Sequence, residues 1–396
     1  MRRLRYNLIR ASFLLIGCVF ALLISAPAVL ADSGYTWTDE SSAGTQPWSA
    51  VAMSSSGQYL VATVAGGDIW TSNDYGTNWV DETASTSEAN STWQTITSSS
   101  TGQYLVAGDY GGYLYTSNDY GASWTQQTGT GTGGWYSIAS SSTGQDLVVV
   151  ELGGNILTSN DYGSSWTQTS APVATWVGVS SSANGNYLSA ETYGGSGIWI
   201  SSDGGLNWSQ SDAPNDLWYN VSSSSSGQYQ YADGDGTDVY MSSNYGVNWT
   251  DLTSSSIQNW WTISNSASGA VIVAGVWHGD IYTSTDHGVT WVDQVSAGSH
   301  GWYASATSAD GSRLAVVDGD GAIRFNGPGG DIWTAFDPSL VPVIPSAPTA
   351  PTPNTGYGEP VNYMPMTYLA IISVISVGLG LVIEYNRRKS LKFLDR

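Results

Sequence analysis

A unit of 41–45 residues occurs seven times between Trp48 and Trp333, and no other feature limits the fold of this chain as strongly. The copies open at Trp48, Trp93, Trp135, Trp176, Trp218, Trp260 and Trp302, most often as Trp-x-x-aliphatic. Each passes through Ser and Gly into a short apolar run. It closes on Ser-x-Asp-x-Gly-x-x-Trp or a worn version, at Trp79, Trp124, Trp166, Trp208, Trp249, Trp291 and Trp333. A unit this short cannot bury its own apolar face, so copies must stack on one another, and this period is typical of propellers and solenoids.

The second unit shows the internal plan: Trp93-Gln-Thr-Ile-Thr, Tyr104-Leu-Val-Ala, Tyr113-Leu-Tyr-Thr and Trp124-Thr-Gln, separated by Gly, Asn, Asp and Ser. Short β-branched or alternating runs with such punctuation read as strands and turns. No helical periodicity occurs between residues 35 and 337. The expected fold is all-β, a seven-bladed β-propeller of four-stranded blades over residues 32–337, which leaves only short protected edges. Tyr35-Thr-Trp37-Thr-Asp-Glu copies Trp79-Val-Asp-Glu, so the N-terminal strand is expected to complete the last blade, beside or in place of the Trp333 strand.

The closing motif carries a resemblance. Ser72-Asn-Asp74-Tyr-Gly76-Thr-Asn-Trp79 resembles the Asp-box, or bacterial neuraminidase repeat, and the segments around Asp119, Asp161, Asp203 and Asp286 match it too. Asn244 replaces the acid in the fifth unit, and Pro328 interrupts the seventh. The resemblance implies a structural turn on the outer rim: the carboxylate accepts turn amides, Gly takes a left-handed conformation and Trp packs beneath. The chain also resembles the photosystem II assembly factor family in repeat length and blade count, without that family's basic face. Propellers of the sialidase type grip a substrate carboxylate with three arginines. Here only Arg313 and Arg324 lie between residues 32 and 363, so that activity is excluded.

Charge and the two ends define the organisation. Of eleven Lys and Arg, four precede Ala31 and five follow Tyr385, while thirty of the thirty-two Asp and Glu lie between residues 32 and 363. Such a surface repels phosphate backbones and anionic headgroups, so no nucleic-acid partner is expected. Residues 1–31 have the basic start, apolar core and small-residue end of a signal peptide. The lone Cys18 falls inside it, leaving no thiol or disulfide beyond. Residues 338–363 form a Pro/Thr-rich stalk, 364–385 a transmembrane helix and 386–396 a basic cytoplasmic tail, which places the propeller outside the cell. Thr352-Pro353-Asn354-Thr355-Gly356 resembles a sortase signal, which implies cleavage between Thr355 and Gly356 and attachment to the envelope.

Two residue sets are candidates for ligand binding on the axial face. The seven opening tryptophans either stack on sugar rings or wedge between blades as repeat core. The second set is a broken ring of carboxylates at the ends of the second strands, Asp109, Glu151 and Asp318 with Glu191 and Asp233 one position earlier. These suit a calcium ion, a glycosidase acid/base pair or solvated turns. His278, His287 and His300 read as isolated, and no zinc spacing or catalytic triad is present. The expected function is non-catalytic: a monomeric surface propeller that binds an extracellular glycan or protein through its axial face. A glycoside hydrolase and a purely structural envelope protein are the alternatives. No cofactor is required, and calcium is the one ion considered.

Overall fold

The computed structural model describes residues 30–31, 34–83, 91–195, 197–234, 236–252, 258–319 and 329–342. The chain divides into residues 1–342 and 343–396, and the stalk beyond 342, the apolar span, the basic tail, Thr355 and Gly356 all lie outside the described residues. Among the described residues no helix is long and apolar enough to cross a membrane. Of the leader, only Leu30–Ala31 is described, paired in parallel with Val292–Asp293.

The described strands pair into seven successive antiparallel units around a ring, the architecture of a β-propeller. In the first unit they are Trp48–Met53, Leu60–Gly67, Ile69–Ser72 and Val80–Asp81. Each first strand packs against the first strand of the next unit, and that of the last, His300–Thr307, packs against Trp48–Met53.

The ring is stitched by the turns between first and second strands. The amide of Ser55 donates to the carbonyl of Ser100, and the relay continues through Ser142, Ala183, Ser225, Ala267 and Ala309 back to Ser55, with every bond at 2.8–2.9 Å. Just before each relay residue sits a buried serine: Ser54, Ser99, Ser141, Ser182, Ser224, Ser266 and Ser308. Its hydroxyl accepts the amide five residues on, as in Ser54 with Tyr59 and Ser308 with Arg313. This satisfies a turn amide that burial would otherwise strand, and it explains why Ser recurs here in every copy.

The Asp-box turns join third to fourth strands. Asp74 accepts the Asn78 amide at 2.9 Å and the Ser72 hydroxyl at 2.9 Å, and Gly76 follows with φ +93°. Asn244 keeps the geometry without the charge, accepting the Asn248 amide at 2.9 Å. The hydroxyl and amide of Ser165 hold the Asp161 carboxyl below the usual carboxylate range. Inside the boxes Tyr75, Tyr120, Tyr162, Tyr245 and His287 adopt positive φ, an unfavourable conformation for a ring-bearing residue. It turns the ring onto the preceding blade: Tyr120 meets Tyr59, Tyr162 meets Tyr104, Tyr245 meets Tyr187 and His287 meets Tyr229, at 4.4–4.6 Å.

Ring closure corrects one expectation. Trp333 is not a closing tryptophan: Ile332–Phe336 is the third strand of the last blade, and Trp333 meets Trp302 edge-on as Trp70 meets Trp48. The fourth strand is Thr36–Asp39, with Trp37 opposite Ala335 and Asp39 opposite Trp333. The homologous bonds agree, since Thr71 donates to Glu82 at 2.6 Å and Thr334 to Glu40 at 2.5 Å. Both ends of the propeller therefore share one blade, with Thr36–Asp39 as its outer strand.

Arg313 locks the same junction. Its guanidinium lies 3.7 Å from the ring centre of Tyr75 in the first blade and 4.3 Å from Phe336 in the last. Two cation–π contacts of this kind stabilise by roughly 1–2 kcal/mol. Arg313→Ala should lower the melting temperature by a few degrees, with ligand binding unchanged, as differential scanning fluorimetry can check.

Candidate functional site

Each first strand carries a β-bulge one residue after its opening tryptophan. The register slips between Trp48 and Ala50, Trp93 and Thr95, Trp135 and Ser137, and likewise in the other four. A bulge re-aims a side chain out of the sheet's alternation. The seven bulged residues, Ser49, Gln94, Tyr136, Val177, Tyr219, Trp261 and Tyr303, line one cavity of about 110 Å³ along the axis.

The tryptophans before the bulges point the other way. All seven opening indoles are at most 2 % exposed. They fill the interfaces between blades. Trp218 meets Tyr240 edge-on at 5.4 Å, and the Cβ of Trp135 lies 3.1 Å from where a side chain at Gly108 of the preceding blade would start. The sugar-stacking expectation for Trp48, Trp93, Trp135, Trp176, Trp218, Trp260 and Trp302 is corrected accordingly, because an indole without exposed surface offers no face to a ligand.

The mouth of the channel is aromatic on one side. Trp261 stacks on Tyr219 at 4.2 Å and 26°, and approaches Trp277 at 5.1 Å and Tyr303 at 6.1 Å. Tyr193 extends the group at 5.6 Å from Tyr219, and His278 does so at 4.6 Å from Trp277. Tyr193, Trp277 and His278 stand at the ends of second strands, on the same face as the bulges. Tyr193 is 41 % exposed, and Tyr219, Trp261 and Trp277 are half-buried. The opposite side, in the first two blades, is polar: Gln94, and Ser49 bonded to Thr63 at 2.9 Å.

The five predicted carboxylates do not form one ring. Asp109 accepts the Thr92 amide at 2.9 Å, the Asn155 amide lies 3.5 Å from Glu151, and Asp318 faces His300 at 3.2 Å, each within its own blade. No group of three or more His, Cys, Asp or Glu suited to a metal ion occurs among the described residues. Glu191 and Asp233 differ from the rest. Both are fully buried; among the described residues the Glu191 carboxyl has no hydrogen-bond partner and Asp233 has none but the Asn220 backbone amide, at the margin of bonding geometry. Each faces a channel-lining residue across its sheet, Gly178 and Asn220 respectively. A Cβ at Gly178 would lie 2.3 Å from Glu191, so the missing side chain is what admits this carboxyl.

Burial, and then the charge of Asp233, pushes the Glu191 carboxyl well above its ordinary range. Burial does the same to Asp233, offset in part by the Asn220 backbone. The histidines are not isolated either: His300 meets Asp318 and Trp302, His287 lies 3.2 Å from the Tyr231 hydroxyl, and His278 packs on Trp277.

The bulge residues escaped the sequence reading because no one residue type runs through all seven: three are tyrosines and the other four all differ. That variability is itself the usable signal: in a repeat, invariant positions carry architecture and variable ones beside them carry what differs between copies.

No protein-family model and no curated protein sequence matches the chain. Solved structures similar to it support the β-propeller fold. One, described as YCF48 bound to D1 peptide, is 14 % identical with a TM-score of 0.58, over 79 % of this chain and 99 % of that one. YCF48 from Cyanidioschyzon merolae gives 12 % and 0.56, over 78 % and 99 %. A GH74 xyloglucanase from Xanthomonas campestris gives 14 % and 0.57 over 72 % of this chain, which spans 52 % of that enzyme.

Proposed function

We propose that this chain is a non-catalytic recognition module: a seven-bladed propeller exported across the membrane, anchored through residues 364–385 or at Thr355–Gly356, and binding an extracellular glycan or protein at its axial mouth. The observation that carries this reading is the convergence of bulged residues on one channel, with Trp261 and Tyr303 in contact with Trp277 at its mouth and Tyr219 stacked on Trp261. Rigid, half-exposed aromatic rings give large contact area for little conformational entropy, which is what recognition surfaces need. The similarity in fold to a propeller described with a bound peptide is in keeping with it.

A second reading, glycoside hydrolysis, draws on the fold it shares with GH74 enzymes and on the raised carboxyls of Glu191 and Asp233. Against it, both carboxyls have no exposed surface through which to reach a substrate.

The test is a binding screen of the full chain on immobilised glycans and extracellular proteins, beside Trp261→Ala and Tyr219→Ala. Loss of at least about tenfold in affinity is expected for each variant, with melting retained. Binding that survives both substitutions would sink the assignment of the mouth.

A further inference from the structure

We propose that the mouth takes a basic segment of a partner protein, an arginine- or lysine-bearing peptide whose cationic heads lie on the rings of Trp261 and Trp277; this rests on the recognition reading above. Charge and geometry select this ligand over a neutral sugar. Among the described residues Arg313 is the only Lys or Arg. It starts its strand at the far end from the mouth and is already held between Tyr75 and Phe336. Among the described residues the mouth therefore has no Lys or Arg to repel an incoming cation.

On the same face, near the ends of second strands or in the turns after them, stand half-buried carboxylates: Asp68, Asp109, Glu151, Asp238 and Asp280. Asp68 and Asp280 accept hydrogen bonds from the neutral hydroxyls of Thr83 and Ser299, neither of which is a counter-ion. An aromatic platform rimmed by such charges favours a cation twice, through the ring quadrupoles and through the long-range field that speeds encounter. The stacking of Trp261 on Tyr219 and its contacts with Trp277 and Tyr303 fix the plane of the indole, so the platform is set before the ligand arrives.

The experiment titrates the full chain with an oligo-arginine peptide, an oligo-glutamate peptide and a neutral β-linked oligosaccharide, from about 50 mM to about 500 mM salt. Only the basic peptide should bind, weakening at least tenfold over that salt range. Trp261→Leu, which keeps apolar volume but removes the ring, should cost a further tenfold, and so should Trp277→Leu. Basic-peptide binding indifferent to both substitutions would overturn the proposal, since it would report surface charge alone. Neutral sugar binding that the two substitutions abolish would overturn it too, while leaving the recognition reading intact. If no probe binds, the proposal falls.

Discussion

Glu191→Gln combined with Asp233→Asn should raise the melting temperature at pH 8 and leave it nearly unchanged at pH 4. Both carboxyls are fully buried, Glu191 with no hydrogen-bond partner among the described residues and Asp233 with only the Asn220 backbone, and burial raises their folded-state pKa well above the unfolded values. The sign follows from proton linkage. Below the unfolded pKa both states hold the proton and the groups cost nothing extra. As the pH rises, the unfolded chain releases protons that the folded chain must keep, and stability falls until the folded pKa is passed. Each such group removes about 1.4 kcal/mol per pH unit across that window.

The box carboxylates work in the opposite sense. Asp161 and Asp203 are lowered by their hydrogen bonds, so their contribution is present above the unfolded pKa and is lost as the solution turns acid. Wild-type stability should accordingly peak in mildly acidic solution and decline toward pH 8, and the double variant should flatten only the alkaline limb. Thermal melts of both proteins from pH 4 to pH 8 check this. Parallel curves would mean that the two carboxyls are ionised, or hydrated, in the folded chain.

Trp218→Ala and Trp261→Ala should behave as opposites. Trp218 is fully buried between blades, bonded from its indole N–H to the Pro214 carbonyl at 3.1 Å. Removing a buried indole leaves a cavity and costs about 3–5 kcal/mol, a fall in melting temperature on the order of 10 °C. Trp261 is half-buried at the mouth, so its loss should move the melt by a few degrees at most while removing the ligand. Melting curves paired with binding isotherms separate the two roles. Equal destabilisation by both substitutions would show that the channel rings are core as well.

The contrast also measures how far the sequence could be read. The fixed period, the alternating apolar runs and the Asp-box punctuation dictate strands and turns locally, so the propeller was legible from residues alone. The closure was half legible. Trp37 does occupy the place of Trp79, but Trp333 belongs with Trp70, because the last unit reaches its third strand without a full box beyond it. The site was not legible. A bulge is a change of register between two strands, and no residue type announces it here, since Ser49, Gln94, Val177 and Trp261 occupy the same place. The repeated tryptophans drew the ligand assignment because they are conspicuous. They are conspicuous because every blade interface needs one. Glu191 and Asp233 were visible as acids, but their burial depends on what faces them across the sheet, at Gly178 and Asn220.

The most direct test of a recognition mouth is the indole N–H spectrum of the full chain, recorded by proton–nitrogen correlation while an oligo-arginine peptide, and separately a mixture of neutral oligosaccharides, is added. Each of the nineteen tryptophans has its own reporter. Ligand bound at the mouth should shift the signals of Trp261 and Trp277 and leave those of Trp48, Trp93 and Trp218 in place. Shifts confined to the buried set, or to Trp124, Trp166 and Trp249 on the outer turns, would contradict the account.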